Sequence, residues 1–152
     1  MLNCEVLVAF IEEKINAFAA AHPEETFCAF AIDGQLLCLN TEFFFEEKLH
    51  YYTETASDEF RPFYEADGFR EQLWKNPGDW KYQGFAHLTE EAGLDKVAYY
   101  EYLDMSPEEQ RASEYTFAMQ QVLDELNQRG AFKNLNCAPS FTAFLVNRAE
   151  NE

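Results

Sequence analysis

Two short apolar runs meeting at Asp33-Gly34 constrain this chain more than any other feature. Residues 26–32 read Thr-Phe-Cys-Ala-Phe-Ala-Ile, and residues 35–40 read Gln-Leu-Leu-Cys-Leu-Asn. An Asp-Gly dipeptide tolerates positive φ and suits a two-residue hairpin turn. Neither run alternates with polar residues, so both faces of the hairpin must be covered. A pair of strands cannot stand alone in water, and the flanking helical segments must pack on it.

With Asp33-Gly34 as the turn, residues whose numbers sum to 67 face each other. Cys28 then faces Leu39, and Cys38 faces Ala29. Strand alternation puts the two thiols on opposite faces and predicts no disulfide between them. A turn displaced by half a register reverses that placement. The four cysteines, Cys4, Cys28, Cys38 and Cys137, form neither a CxxC nor a zinc-finger spacing, and they read as buried reduced thiols.

Around the hairpin the pattern is helical. Leu7, Phe10, Ile11, Ile15 and Phe18 recur at steps of three and four and predict an amphipathic helix over 5–21, ended by Pro23. Asn40 or Thr41 can cap a second helix from Glu42, with Phe45, Leu49 and Tyr52 inward. Ser57, Pro62 and Gly68 punctuate 53–67, which reads as a loop or broken helix, followed by a short helical turn over 69–74. Asn76-Pro77-Gly78-Asp79 is a turn signal. A helix over 94–103 would carry Val97, Tyr100 and Leu103 in phase. Ser106-Pro107-Glu108-Glu109 is a capping box with proline at the first helical position. It predicts one helix bearing Tyr115, Ala118, Met119, Val122, Leu123 and Leu126, stopped by Gly130. Residues 141–147 form a last strand able to pair with the hairpin, and 149–152 form a frayed tail. The expected fold is a single α+β domain over 1–152, with a small, mostly antiparallel sheet packed by several helices.

Charge limits the function classes. The 152 residues carry 28 acids against 11 Lys and Arg, a formal net charge of −17. Such a field repels nucleic acid and anionic membrane and favours basic partners; its bland reading is a solubilising surface. No run approaches a membrane span. The N-terminus lacks a basic n-region, and Glu12 and Glu13 interrupt any signal-like stretch, so a cytoplasmic location is the default expectation.

Chemistry-bearing motifs are sparse. His22, His50 and His87 are scattered, without HxxxH or HExxH spacing, and no metal or cofactor is expected. Glycine-rich phosphate loops and the GxSxG elbow are missing. A Cys–His dyad built from Cys28 or Cys38 with His50 or His87 would need a thiolate, which apolar strands disfavour. Paired glutamates such as Glu46-Glu47 are expected by chance in so acidic a chain, and helix neighbours point about 100° apart.

Segment 42–71 stands out, with nine acids, nine Phe and Tyr, and three bases, Lys48, Arg61 and Arg70. Its plain reading is aromatic core plus solvated acids. Its functional reading is a contact surface where rings supply area and carboxylates select a cationic group. The candidate contacts are Glu46, Glu47, Asp58, Glu59, Glu65 and Trp80.

Three stretches carry a family likeness: Glu-Thr-Phe-Cys-Ala-Phe-Ala-Ile-Asp (25–33), Leu-Cys-Leu-Asn-Thr-Glu (37–42) and Gly-Asp-Trp-Lys-Tyr-Gln-Gly-Phe (78–85). They resemble the bacterial domain-of-unknown-function family 4303, across most of the chain. The resemblance implies a small, single-domain bacterial protein and supplies no reaction or catalytic residue. The expectation is a non-enzymatic acidic binding protein for a basic partner, such as an immunity protein for a cationic toxin domain. Two readings compete with it. One is a small enzyme or small-molecule binder whose pocket is lined by Asp79, Trp80 and Tyr82, with Glu42 as acid or base. The other is a structural or homodimeric protein.

Overall fold

The computed structural model describes residues 3–146. Strands β1 (Phe27–Asp33) and β2 (Leu36–Thr41) form the expected antiparallel hairpin, with Gly34 and Gln35 in the turn. Gly34 has φ +61° at the first central position, the type II′ arrangement, so Gln35 needs no positive φ. The turn lies one residue later than Asp33-Gly34, and residues whose numbers sum to 69 face each other, as Phe30 faces Leu39. A bulge between Phe27 and Ala29 then puts Cys28 and Ala29 on one face. Cys28 and Cys38 consequently share a face instead of lying on opposite ones, yet all four cysteines are thiols.

β3 (Tyr82–His87) extends the sheet antiparallel to β2, and β4 (Cys137–Leu145) runs parallel to β1, giving the order β3-β2-β1-β4. The C-terminal strand does pair with the hairpin, but it begins at Cys137 and makes the sheet mixed. The reason is where the chain returns. The Asn136 carbonyl accepts the Phe27 N–H at 2.8 Å, so β4 enters beside the start of β1 and follows it. Asn147 and the expected tail over 149–152 lie outside the described residues.

Helices cover both faces of this one sheet. On the first face, α1 (Cys4–Ala21) and α8 (Glu114–Gln128) bury Leu7, Ile11, Ile15, Met119, Val122 and Leu126 against Phe30, Ile32, Leu37 and Leu39. On the second, α2 (Glu42–Thr55) and α4 (Asp67–Lys75) bring Phe45 and Leu73 onto Cys28, Ala29, Ala31 and Cys38, together with Trp80. The short α3 (Arg61–Glu65) joins α2 to α4, so 53–67 is a broken helix. Thr41 caps α2 by accepting the Phe44 N–H at 3.0 Å.

The C-terminal half differs from the periodic reading in two places. The capping box at Ser106 forms, but the helix it opens is α7 (Pro107–Arg111) alone. Ser113 starts α8 afresh by accepting the Thr116 N–H, and its hydroxyl donates to the Gln110 carbonyl at 2.7 Å. Between α5 (Leu88–Glu91) and α7, helix α6 (Lys96–Asp104) turns Val97, Tyr100 and Leu103 to solvent, while Tyr99 and Tyr102 pack on the core. At the end of α8, Gly130 (φ +66°) donates to Asn127 and Ala131 to Leu126, a Schellman stop.

Candidate protein-binding surface

Helices α2, α3 and α4 build an aromatic wall over the second core. Phe45 points inward and meets Trp74 edge-on at 4.9 Å. Tyr52 stacks on Tyr64 with centroids 5.9 Å apart and planes 10° from parallel, and Phe69 meets both edge-on. Phe63 joins this cluster 5.3 Å from Tyr64 yet stays 58% exposed. The Tyr52 hydroxyl donates to Asp79 at 2.9 Å, tying α2 to the 3-10 turn Pro77–Asp79. Burial, and then the Asp79 carboxylate, hold this phenol above its ordinary range.

With Phe45, Leu49 and Tyr52 inward, helical geometry turns Phe43, Glu47, His50, Tyr51 and Glu54 outward. Phe43 is 73% exposed, and Tyr51 and Phe60 are also largely in water. A surface that leaves large rings exposed offers contact area that the monomer does not use.

The three bases of this segment are each engaged within it. Arg61 pairs with Asp58 at 2.6 Å and donates to the carbonyls of Thr53 and Ala56. Arg70 pairs with Glu46 at 2.6 Å and lies over the Phe45 ring. Lys48 sits near the faces of Phe44 and Tyr52, 5.9 and 5.8 Å from their centroids. Among the described residues, Glu47, Glu59 and Glu65 have no basic partner. Exposed rings beside uncompensated carboxylates can supply apolar contact and attract cationic groups.

Five expected contacts, Glu46, Glu47, Asp58, Glu59 and Glu65, lie exposed on these helices and their connection. Glu46 and Asp58 already hold arginines. Asp79, Trp80 and Tyr82 do not converge. Asp79 accepts from Tyr52 and Asn76, and so fixes a turn. Trp80 is 2% exposed, its indole N–H donates to the Trp74 carbonyl at 3.1 Å, and it meets Phe144 edge-on. It is core and not a surface contact, because the reversal at Asn76–Asp79 drives the ring beneath α4. Tyr82 enters β3 on the other face of the sheet, edge-on to Phe18 at 4.7 Å. The space expected to form a pocket between the sheet and 42–85 is occupied by Phe45, Leu73 and Trp80. Glu42 stands exposed at the first position of α2, its N–H donating to Thr26 at 2.9 Å.

One polar cluster escaped the sequence reading. Tyr82 donates to Glu25 Oε2 at 2.5 Å, Lys81 pairs with Glu25 Oε1, and His22 Nδ1 lies 3.4 Å from the same carboxylate. Burial pushes the Glu25 carboxyl up, but the hydrogen bonds from Lys81 and Tyr82 outweigh it and hold the group below its usual range. Lys81 and Tyr82 lie 56 and 57 residues from Glu25, so no local pattern marks the cluster. The cluster clamps the end of α1 to β3.

A thiol nucleophile finds no support at Cys28. Burial, with the Glu42 carboxylate adding to it, pushes this thiol up to about 12. Among the described residues no group of His, Cys, Asp and Glu could hold a metal ion, and no helix is long and apolar enough to cross a membrane. No family model, curated protein or solved structure matches the chain.

Proposed function

We propose that the chain is a non-enzymatic acidic binding protein that engages a basic protein partner through the outward face of α2–α4. Its most concrete form is an immunity or inhibitor protein that neutralises a cationic bacterial toxin domain. The observation carrying this reading is the combination on one surface of exposed Phe43, Tyr51, Phe60 and Phe63 with Glu47, Glu59 and Glu65. The net charge of −17 supports it further, since a strong uniform field steers an oppositely charged protein into encounter and opposes self-association. The resemblance to family 4303 adds a bacterial setting and no competing reaction.

The test is a pull-down from source-cell lysate at low and high salt, repeated with a Phe43→Ser, Glu47→Lys double variant. One basic protein captured at low salt, lost at high salt and lost with the variant is the expected result. The purified partner's own activity should then fall on adding the wild-type chain. Capture indifferent to both salt and the double variant would overturn the reading, and a dimeric solution mass abolished by Phe43→Ser would favour the homodimer.

A further inference from the structure

An open groove of about 710 Å³ lies between α6 and α8, on the opposite side of the sheet from α2–α4. Its apolar lining includes Val97, Tyr102, Met105, Tyr115 and Ala118. Tyr102 and Tyr115 are stacked, with centroids 4.4 Å apart and planes 23° from parallel, and Tyr115 is anchored by its hydroxyl to the Gly34 carbonyl at 3.3 Å. The hairpin tip thus anchors Tyr115, and through the stack Tyr102, in the lining. Of the apolar residues that α6 turns to solvent, Val97 lines the groove and is 65% exposed. Exposed apolar lining in a groove is surface that a partner can cover.

The charge of the groove has one sign. Asp95, Glu101 and Glu114 line it, and no Lys, Arg or His does. Asp95 caps α6 by accepting the N–H groups of Val97 and Ala98 at 2.9 and 3.3 Å. Lys96, the base next to it in sequence, turns to Glu90 at 3.0 Å. Among the described residues Glu101 and Glu114 have no basic partner. A groove between two helices accepts a third by ridge-into-groove packing, and apolar residues at steps of three and four would reach its lining. Lys or Arg flanking that stripe would meet Glu101 and Glu114, whereas an acidic helix would be repelled.

We propose that this groove is a docking site for a cationic amphipathic helix of another protein. The site is independent of the α2–α4 surface and does not rest on that surface being an interface.

The test titrates the intact chain with a labelled Leu/Lys amphipathic helical peptide and with a scrambled peptide of the same composition. Anisotropy reads affinity, and hydrogen exchange reads location. The expected result is roughly tenfold or greater preference for the amphipathic order, since scrambling removes the apolar face and keeps the charge. Protection should appear on α6 and the first turns of α8. Glu101→Lys and Glu114→Gln should each weaken binding by roughly three- to tenfold with an unchanged melting temperature, and Phe43→Ser should not weaken it. Equal affinity for both peptides would overturn the proposal as mere charge attraction. Protection on α2–α4 instead would overturn it while leaving the proposed function standing. Absence of binding would also overturn it, and the α2–α4 surface would still face its own pull-down.

Discussion

Replacing Trp80 separates a core residue from a recognition residue. Its side chain is 2% exposed, so nearly all of a ring of about 200 Å² is removed from water. At about 25 cal/mol per Å² that burial is worth on the order of 5 kcal/mol, an upper figure because unfolded chains already hide some surface. Aromatic-to-alanine truncations in cores cost about 3–5 kcal/mol, so about 4 is expected for Trp80→Ala. Trp80→Phe keeps most of the ring area but removes the donor to the Trp74 carbonyl, for a loss of about 1–2 kcal/mol. Against a total of about 5–15 kcal/mol the alanine variant loses a large fraction of its stability. For a chain of this size that is a melting shift of about 8–16 °C. Urea unfolding followed by far-ultraviolet circular dichroism is the assay, because indole fluorescence would change with the substitution itself. With a slope of about 2 kcal/mol per molar urea, the alanine midpoint should fall by about 2 M and the phenylalanine midpoint by about 0.5–1 M. An alanine midpoint within about 0.3 M of wild type, on that slope, would refute the burial argument and restore Trp80 as a surface contact.

Four further outcomes follow from local geometry. Gly34→Ala should cost about 1–2 kcal/mol or more, because φ is +61° and the new methyl would sit 2.6 Å from the Tyr99 hydroxyl. Gly68→Ala in α4 meets nothing within 4 Å and should stabilise by up to about 1 kcal/mol; thermal melts of both variants check the opposite signs. Glu25 has a folded pKa below its ordinary 4.5, so its clamp contributes stability above that pH and loses it as pH falls through the folded value. Glu25→Gln should therefore narrow the stability difference from wild type as acid denaturation proceeds; a difference constant from pH 6 to pH 3 would contradict the assignment. Cys28, buried with its thiol pushed up to about 12, should resist iodoacetamide at pH 8 in the folded chain and react once urea is added, as mass spectrometry of the labelled peptide would show.

The likeness between sequence and structure was strongest where a signal is local. The stripe of α1, the Thr41 cap, the Ser106 capping box and the Gly130 stop each act within a few residues, and each is found in place. Errors arose where two local signals competed. A second cap at Ser113 cut the helix that the capping box opened, and its mark, a serine followed by Glu114, was readable but outweighed by the continuing stripe. In α6 the in-phase residues Val97, Tyr100 and Leu103 suggested an inner face, while Tyr99 and Tyr102, packed on Tyr115 of α8, took the core side. Of the candidate site, the acid and ring content of 42–71 was legible, but which rings face water was not. Phe43 and Phe45 are adjacent in composition terms and opposite in exposure, and helix phase against the sheet separates them.

The sequence alone determined that a hairpin buried on both faces must carry helices, because two apolar runs without alternation leave no face for water. That same lack of alternation left the register open, since a slip exposes no polar face to object. Tertiary structure set it, through Gly34 in the tight turn under Tyr99 and the bulge at Cys28. Tertiary structure also decided that β4 runs parallel to β1, that Trp80 lies inside, and that Glu25 meets Lys81 and Tyr82. Each of these joins residues distant in the chain, and pairings of that kind are fixed by where the packed elements deliver the backbone.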